Sequence, residues 1–192
     1  MSIHPPINYC SCCGAPVTHT VPEGDTVERH VCPACGTIHY QNPKMVIGCI
    51  AEWEGRVLLC RRAIEPRLGL WTLPAGFMEN SETTAEAAAR ETREEVCAEV
   101  AIDRLFALVN VPHIHQVHMF YTARLIDGQF GVGTESLESS LFLEAEIPWD
   151  ALAFRSVSFA LKAWLDDRRR GEFGLHSIDL RPPTAAATTP QD

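Results

Sequence analysis

Three glutamates at fixed helical spacing constrain this chain more than any other feature. From Gly76 to Ala98 it reads GFMENSETTAEAAARETREEVCA, and the second half of that run has the period of an amphipathic helix. Ala85, Ala88, Ala89, Thr92 and Val96 share one face, small enough for the helix to lie close against a sheet. Glu91, Glu94 and Glu95 share another, and their i, i+3, i+4 spacing brings three carboxylates to one side of one helix. Like charges so placed repel unless something positive sits between them. A hard divalent cation fits that need, because Mg²⁺ takes oxygen ligands, keeps several waters and binds phosphates at its remaining positions. Arg90 lies four residues from both Glu86 and Glu94 and is expected to pair with each. Ser81, Thr83 and Thr84 are capping types that mark the helix start. The plain alternative is a solvated acidic face.

The N-terminal stretch carries a second constellation. Cys10-Ser-Cys-Cys13-Gly and Cys32-Pro-Ala-Cys35-Gly are two C-x-x-C-G pairs with eighteen residues between Cys13 and Cys32. That spacing matches a four-cysteine zinc ribbon, in which each pair chelates one side of a tetrahedral Zn²⁺. With four thiolates the ion has no open position, so the zinc is structural. A disulfide framework is the rival, and it needs a secreted context. The opening MSIHPPINYC lacks the basic-then-apolar pattern of a signal peptide, and no apolar run reaches the length of a membrane span, so the expectation is a cytoplasmic protein without membrane attachment. His30 and His39 could add ligands, but four cysteines already saturate the ion.

At 192 residues and 46% hydrophobic the chain holds enough apolar material for one full core and a small accessory module. Its formal net charge of -9 argues against non-specific binding to nucleic acid. An acidic protein acting on an anionic substrate needs a cation as go-between. In chain order, MVIGCIAEW and RVLLCRR about Glu54-Gly55 read as a hairpin with Cys49 and Cys60 as buried thiols. A strand from Trp71 to Pro74 then delivers Gly76. Leu105 to Val111, Val117 to Leu125 and Ser140 to Leu143 read as further strands, and Ser156 to Arg170 as a closing helix. The tail from Pro182 has little apolar content and reads as disordered.

The acidic run resembles the signature box of the Nudix hydrolases: a Gly, five residues, a Glu, seven residues, then Arg-Glu, an apolar residue, any residue, Glu-Glu, any residue, Gly. Here these are Gly76, Glu82, Arg90, Glu91, Thr92, Glu94 and Glu95, with Cys97 in place of the final Gly. Cys does not enter a left-handed cap as easily as Gly, so a different helix exit is expected. The resemblance implies an α/β fold, a Nudix α/β/α sandwich with a mixed sheet at 43–171, preceded by a zinc ribbon at 1–40. It implies Mg²⁺ or Mn²⁺ held by Glu91, Glu94, Glu95 and the carbonyl of Gly76, with Glu94 or Glu95 as base, and Glu82 orienting Arg90. A further Glu from a later loop is expected, Glu138 ahead of Glu135. A homodimer is implied only in the same way.

The zinc-ribbon subgroup looks like NADH pyrophosphatases on one side and FAD or ADP-ribose pyrophosphatases on the other. The NADH branch carries Ser-Gln-Pro-Trp-Pro-Phe-Pro downstream of the box, where this chain has Asn110 to Gln116, so FAD or ADP-ribose is favoured over NADH or NAD-capped RNA. A non-catalytic nucleotide sensor is the rival of a different class. For the small-molecule nucleotide itself, Arg62, His113 and His115 are candidate contacts, with His118 alternating beside the last two. Phe77 is a further candidate, although a lone aromatic belongs by default in the core. Trp53 at the hairpin tip is read as a base-stacking or dimer residue.

Overall fold

The computed structural model describes residues 6–182, so the tail beyond Pro182 lies outside the described residues. Its contacts divide the chain into two units, Met1–Pro43 and Lys44–Asp192.

The first unit is an antiparallel sheet of β1 (Thr18–Thr20), β2 (Arg29–Val31) and β3 (Ile38–His39) with two cysteine turns. The turns repeat one geometry. Gly14 N–H donates to the Cys10 carbonyl and Gly36 N–H to the Cys32 carbonyl, both at 2.9 Å. These strands are short, polar and none of their residues is fully buried, so no hydrophobic period announces them in the sequence.

The second unit begins with the expected hairpin, β4 (Lys44–Trp53) and β5 (Arg56–Arg62). The two strands pair only next to the turn, at Glu52↔Val57 and Trp53↔Arg56, and then part. Into the gap run β6 (Trp71–Thr72) on β5 and β7 (Ala75–Phe77) on β4. The single strand expected at Trp71 to Pro74 is therefore two short ones, and the second sets Gly76 opposite Ile47. After α1 (Thr84–Val96) come β8 (Val100–Val111), β9 (Gln116–Leu125), β10 (Ser136–Phe142), α2 (Arg155–Arg170) and β11 (His176–Asp179).

The sheet order is β10-β5-β4-β9-β8-β11. It is mixed, since β4 with β9 and β8 with β11 run parallel while β8 with β9 and β5 with β10 run antiparallel. Central strands buried on both faces read as continuous apolar runs, and β4 and β5 do. Ile47, Cys49, Ala51, Leu58 and Cys60 pack with Ala87, Ala88 and Val96 of α1. Ile50, Val57 and Leu59 turn the other way, toward Val157, Ala160, Leu161, Trp164 and Leu165 of α2. The result is an α/β/α sandwich with α1 and α2 on opposite faces.

Several sequence expectations need correcting. Ala87 takes the buried place assigned to Ala85. Strand β8 starts five residues before Leu105, at Val100, because exposed polar residues in its first half interrupt the apolar pattern. Strand β10 starts at Ser136 rather than Ser140, since its polar residues sit on a sheet edge. Strand β11, only four residues long, carries too short an apolar pattern, Ile178 and then Leu180, to announce itself. Trp53 is no free tip residue: it packs with the cluster under α1, and its ring lies against Gly128. Cys97 does adopt the left-handed cap, at φ 51° and ψ 32°, and its N–H donates to the Arg93 carbonyl. The helix therefore ends as a Gly-capped helix would, with a side chain in a region that side chains rarely visit.

Candidate active site

Helix α1 is held at both ends. At its start Thr83 Oγ1 accepts from Glu86 N–H while Glu86 accepts from Thr83 N–H, closing a capping box. Glu86 is thereby committed and does not pair with Arg90, contrary to the i, i+4 expectation. At its far end, carbonyls that a helix leaves unpaired are met by the loop ahead of β10. Gly131 N–H donates to the Val96 carbonyl at 2.7 Å and Gly133 N–H to the Glu95 carbonyl at 2.9 Å. A side chain at Gly133 would strike the Glu94 carbonyl, so only Gly lets the loop come this close.

Arg90 is the hub. Its guanidinium donates to Glu82 at 2.8 and 3.0 Å, to Glu91 at 2.8 Å, to Glu94 at 3.0 Å and to the Phe77 carbonyl at 3.1 Å. This guanidinium beside Glu82 holds that carboxyl down to about 2, so it is ionised at any working pH. Gly76 faces Glu91 so closely that a Cβ there would fall inside the carboxylate. Burial pushes the Glu91 carboxyl up against the pull of Arg90.

Glu95 is fixed differently. It has no bond to Arg90; its Oε2 accepts from Ala75 N–H at 3.0 Å and from the Cys60 thiol at 3.6 Å. Burial pushes its carboxyl up to about 7. Burial, then the nearby Glu95 charge, likewise push the Cys60 thiol well above its ordinary value, so it stays a thiol and can donate.

The donor set suits a hard divalent cation: three carboxylates, two of them buried, beside a backbone whose Gly leaves room for nothing larger. Such a group carries phosphoryl chemistry only if an anionic substrate can approach. Glu94, with 58% of its side chain exposed, marks the open side.

The remaining candidates fall into place unevenly. Phe77 is 47% exposed with Lys44 Nζ 4.9 Å above its ring, so the core default was wrong. Arg62 stacks on Phe154 at 5.1 Å and donates to the Pro66 carbonyl, and its charge reaches Glu95. His113 and His115 do not alternate along a strand with His118. They sit in a 3-10 turn, Pro112–Ile114, and at its left-handed exit. His118 is buried on β9 between Ser156 and Gln116, where burial pushes it down to about 4 and keeps it neutral. Glu138 pairs with Arg61 at 3.6 Å on exposed β10. It is Glu135, in the loop that caps α1, whose charge bears on Glu91. The sequence carried that signal in the Gly131-Val-Gly133 pair just ahead of it.

In the first unit Cys10, Cys13, Cys32 and Cys35 bring their sulfurs within 4.8 Å of one another. Cys10 and Cys35 sulfurs are 3.6 Å apart and those of Cys13 and Cys32 3.5 Å, near the roughly 3.8 Å edge of a tetrahedron with metal–sulfur bonds of about 2.3 Å. Burial raises the Cys10 thiol, but the N–H groups of Cys12 and Cys13 together with His39 and Cys35 lower it below its ordinary value. Cys12 itself is exposed and offers that N–H rather than its sulfur.

Comparison with known proteins agrees with both halves. A family model described as Nudix N-terminal, a zinc ribbon, matches residues 8–41, and one described as NUDIX domain matches residues 42–159. The chain belongs to the Nudix family. A NUDIX hydrolase of known structure from Nitrosomonas europaea is 53% identical with a TM-score of 0.86, covering 91% of this chain and 100% of its own. The NAD-capped RNA hydrolase NudC of Stutzerimonas stutzeri is 28% identical over 69% of this chain and 46% of its own length. An ADP-ribose pyrophosphatase of Methanocaldococcus jannaschii is also 28% identical, over 54% of this chain and 63% of its own. The match thus spans about half the length of such curated Nudix relatives. Among the described residues no helix is long and apolar enough to cross a membrane.

Proposed function

We propose that this Nudix chain is a divalent-cation-dependent pyrophosphohydrolase that cleaves the diphosphate of a nucleoside diphosphate linked to another group, FAD or ADP-ribose first, releasing AMP. The observation that carries the reading is the Arg90 hub, which holds Glu82, Glu91, Glu94 and the Phe77 carbonyl around one open patch. Glu91, Glu94, Glu95 and the Gly76 carbonyl would hold Mg²⁺ or Mn²⁺. When bound, such cations neutralise the diphosphate and acidify water for in-line attack. The residues supply the rest. Glu94 or Glu95 takes the proton of the attacking water, Arg90 keeps the acidic side from splaying, and Glu135 adds a carboxylate from the capping loop in place of Glu138. Exposed Phe77 offers a flat apolar surface to a base or flavin, with Arg62, His113 and His115 as further contacts. The four-cysteine site would hold structural Zn²⁺. A homodimer in the cytoplasm completes the reading.

Hydrolysis of NAD-capped RNA is the second reading, favoured by the 28% identity to NudC over 69% of this chain. Net charge -9 weighs against an RNA partner. The test is product analysis with Mg²⁺ and a panel of FAD, ADP-ribose, NADH, NAD and NAD-capped RNA, with Glu95→Gln beside the wild type. AMP from FAD or ADP-ribose and a dead variant support the first reading. Preference for capped RNA selects the second, and tight binding without cleavage means a sensor.

A further inference from the structure

Two of the three box carboxylates that face the open patch are aimed by Arg90, and the third is not. Glu95 is 6% exposed and takes its orientation from the sheet beneath α1, through Ala75 N–H and the thiol of Cys60 on β5. We infer that Cys60 is a positioning residue of the hydrolytic site: its S–H, with the Ala75 N–H, fixes one carboxylate oxygen of Glu95 and so aims the other at the cation and the attacking water. The inference rests on the hydrolase reading above.

The placement is specific. Cys60 and Cys49 belong to the same apolar cluster under α1, and both are buried to within 1%. Cys49 donates to the Ala88 carbonyl, an acceptor that already serves Thr92 Oγ1, and so does nothing for the site. Cys60 instead reaches a side-chain carboxylate, the Glu95 Oε2 at 3.6 Å, with the Thr72 carbonyl at 3.7 Å beside it as a second acceptor for the same S–H. Its surroundings are also more polar than packing needs. The hydroxyl of Ser136, 8% exposed, lies beside the same sulfur from β10. A buried thiol that served only to fill space would gain from apolar neighbours. Here two polar side chains, Cys60 from β5 and Ser136 from β10, meet behind the Glu95 carboxylate.

The test compares Cys60→Val, which fills the space without a donor, with Cys60→Ser, which keeps a donor in a more polar and smaller side chain. Cys60→Val is expected to lower kcat by about 10- to 100-fold with KM for the nucleotide nearly unchanged, the effect typical of removing a partner that orients a metal ligand, and to weaken Mn²⁺ binding measured by calorimetry. Cys60→Ser is expected to recover most of both. A mere core filler predicts the reverse order, with valine tolerated and serine the more damaging. Wild-type kcat in Cys60→Val, or equal damage in both variants, would overturn the proposal. The S–H stretching band, isolated by infrared difference between wild type and Cys60→Val, reads the bond without any turnover. It is expected to sit at the frequency of a hydrogen-bonded thiol and to move in Glu95→Gln. A band that ignores Glu95 refutes the contact. Should the wild type cleave nothing in the panel, the hydrolase reading fails by itself while the infrared band still decides whether Cys60 holds Glu95.

Discussion

The two clusters of acidic ligands in this chain are built on opposite plans. Four thiols converge on a point: among the described residues, Cys10, Cys13, Cys32 and Cys35 are the one such group whose ligand atoms all lie within 4.8 Å. The carboxylates of Glu91, Glu94 and Glu95 share a helix side, yet they are held from two directions, Glu91 and Glu94 by Arg90 and Glu95 by the sheet. A closed tetrahedron leaves no position for a substrate. Carboxylates kept apart, one of them exposed, leave several. The contrast supports the proposed division, a closed cluster for structural zinc and an open one for chemistry.

Breaking the closed cluster should have the largest effect. Cys32→Ser is expected to remove one zinc per chain by elemental analysis and to unfold the first unit, since structural zinc contributes on the order of 10 kcal/mol to folding in such modules. Loss of zinc with that unit's amide resonances unchanged would erase the contrast. Next, Glu94→Gln and Glu95→Gln should each lower kcat by about 10²- to 10⁴-fold while leaving zinc content alone, and the deeper loss identifies the proton acceptor.

A third prediction uses pH. The Glu95 carboxyl is raised from 4.5 to about 7, so the folded protein without Mg²⁺ holds that proton more tightly than the unfolded chain does. Its contribution to stability is full below about 4.5 and is lost as pH rises through about 7, about 3 kcal/mol in all. Mg²⁺ binds the ionised form, so the increase in Tm on adding Mg²⁺ should be larger at pH 8 than at pH 5. In Glu95→Gln this difference should shrink. The smallest effect sharpens the comparison from outside it. Glu86 belongs to the capping box, so Thr83→Ala should cost about 1 kcal/mol in chemical denaturation and leave Mn²⁺ affinity unchanged.

Both clusters were legible in the sequence because each is written at fixed spacing, two thiols per turn or three carboxylates per helix face. The sandwich was legible too, since β4, β5 and α2 carry long apolar patterns. What escaped depends on contacts between distant segments. Arg90 was assigned to Glu86 and Glu94 by helical spacing and to Glu82 by the resemblance; Glu94 and Glu82 are bonded to it, but the hydrogen-bonded cap takes Glu86. Glu135 is proposed in place of Glu138 because the loop that carries it is fastened to the end of α1 by Gly133. The histidines looked like one strand face until the turn at Pro112–Ile114 broke their alternation. Phe77 is exposed although its backbone pairs with Val46 of β4, because it stands at the end of a short strand with Lys44 over its ring.

The most direct test of the division between the clusters is a reversible metal exchange. Protein carrying one zinc per chain would be freed of Mg²⁺, assayed on ADP-ribose or FAD by phosphorus NMR, and assayed again after Mg²⁺ is restored, with zinc measured throughout. Cleavage that stops and returns with Mg²⁺ while zinc stays at one per chain is the expected result. Cleavage that persists without Mg²⁺, or that follows the zinc content, would contradict it.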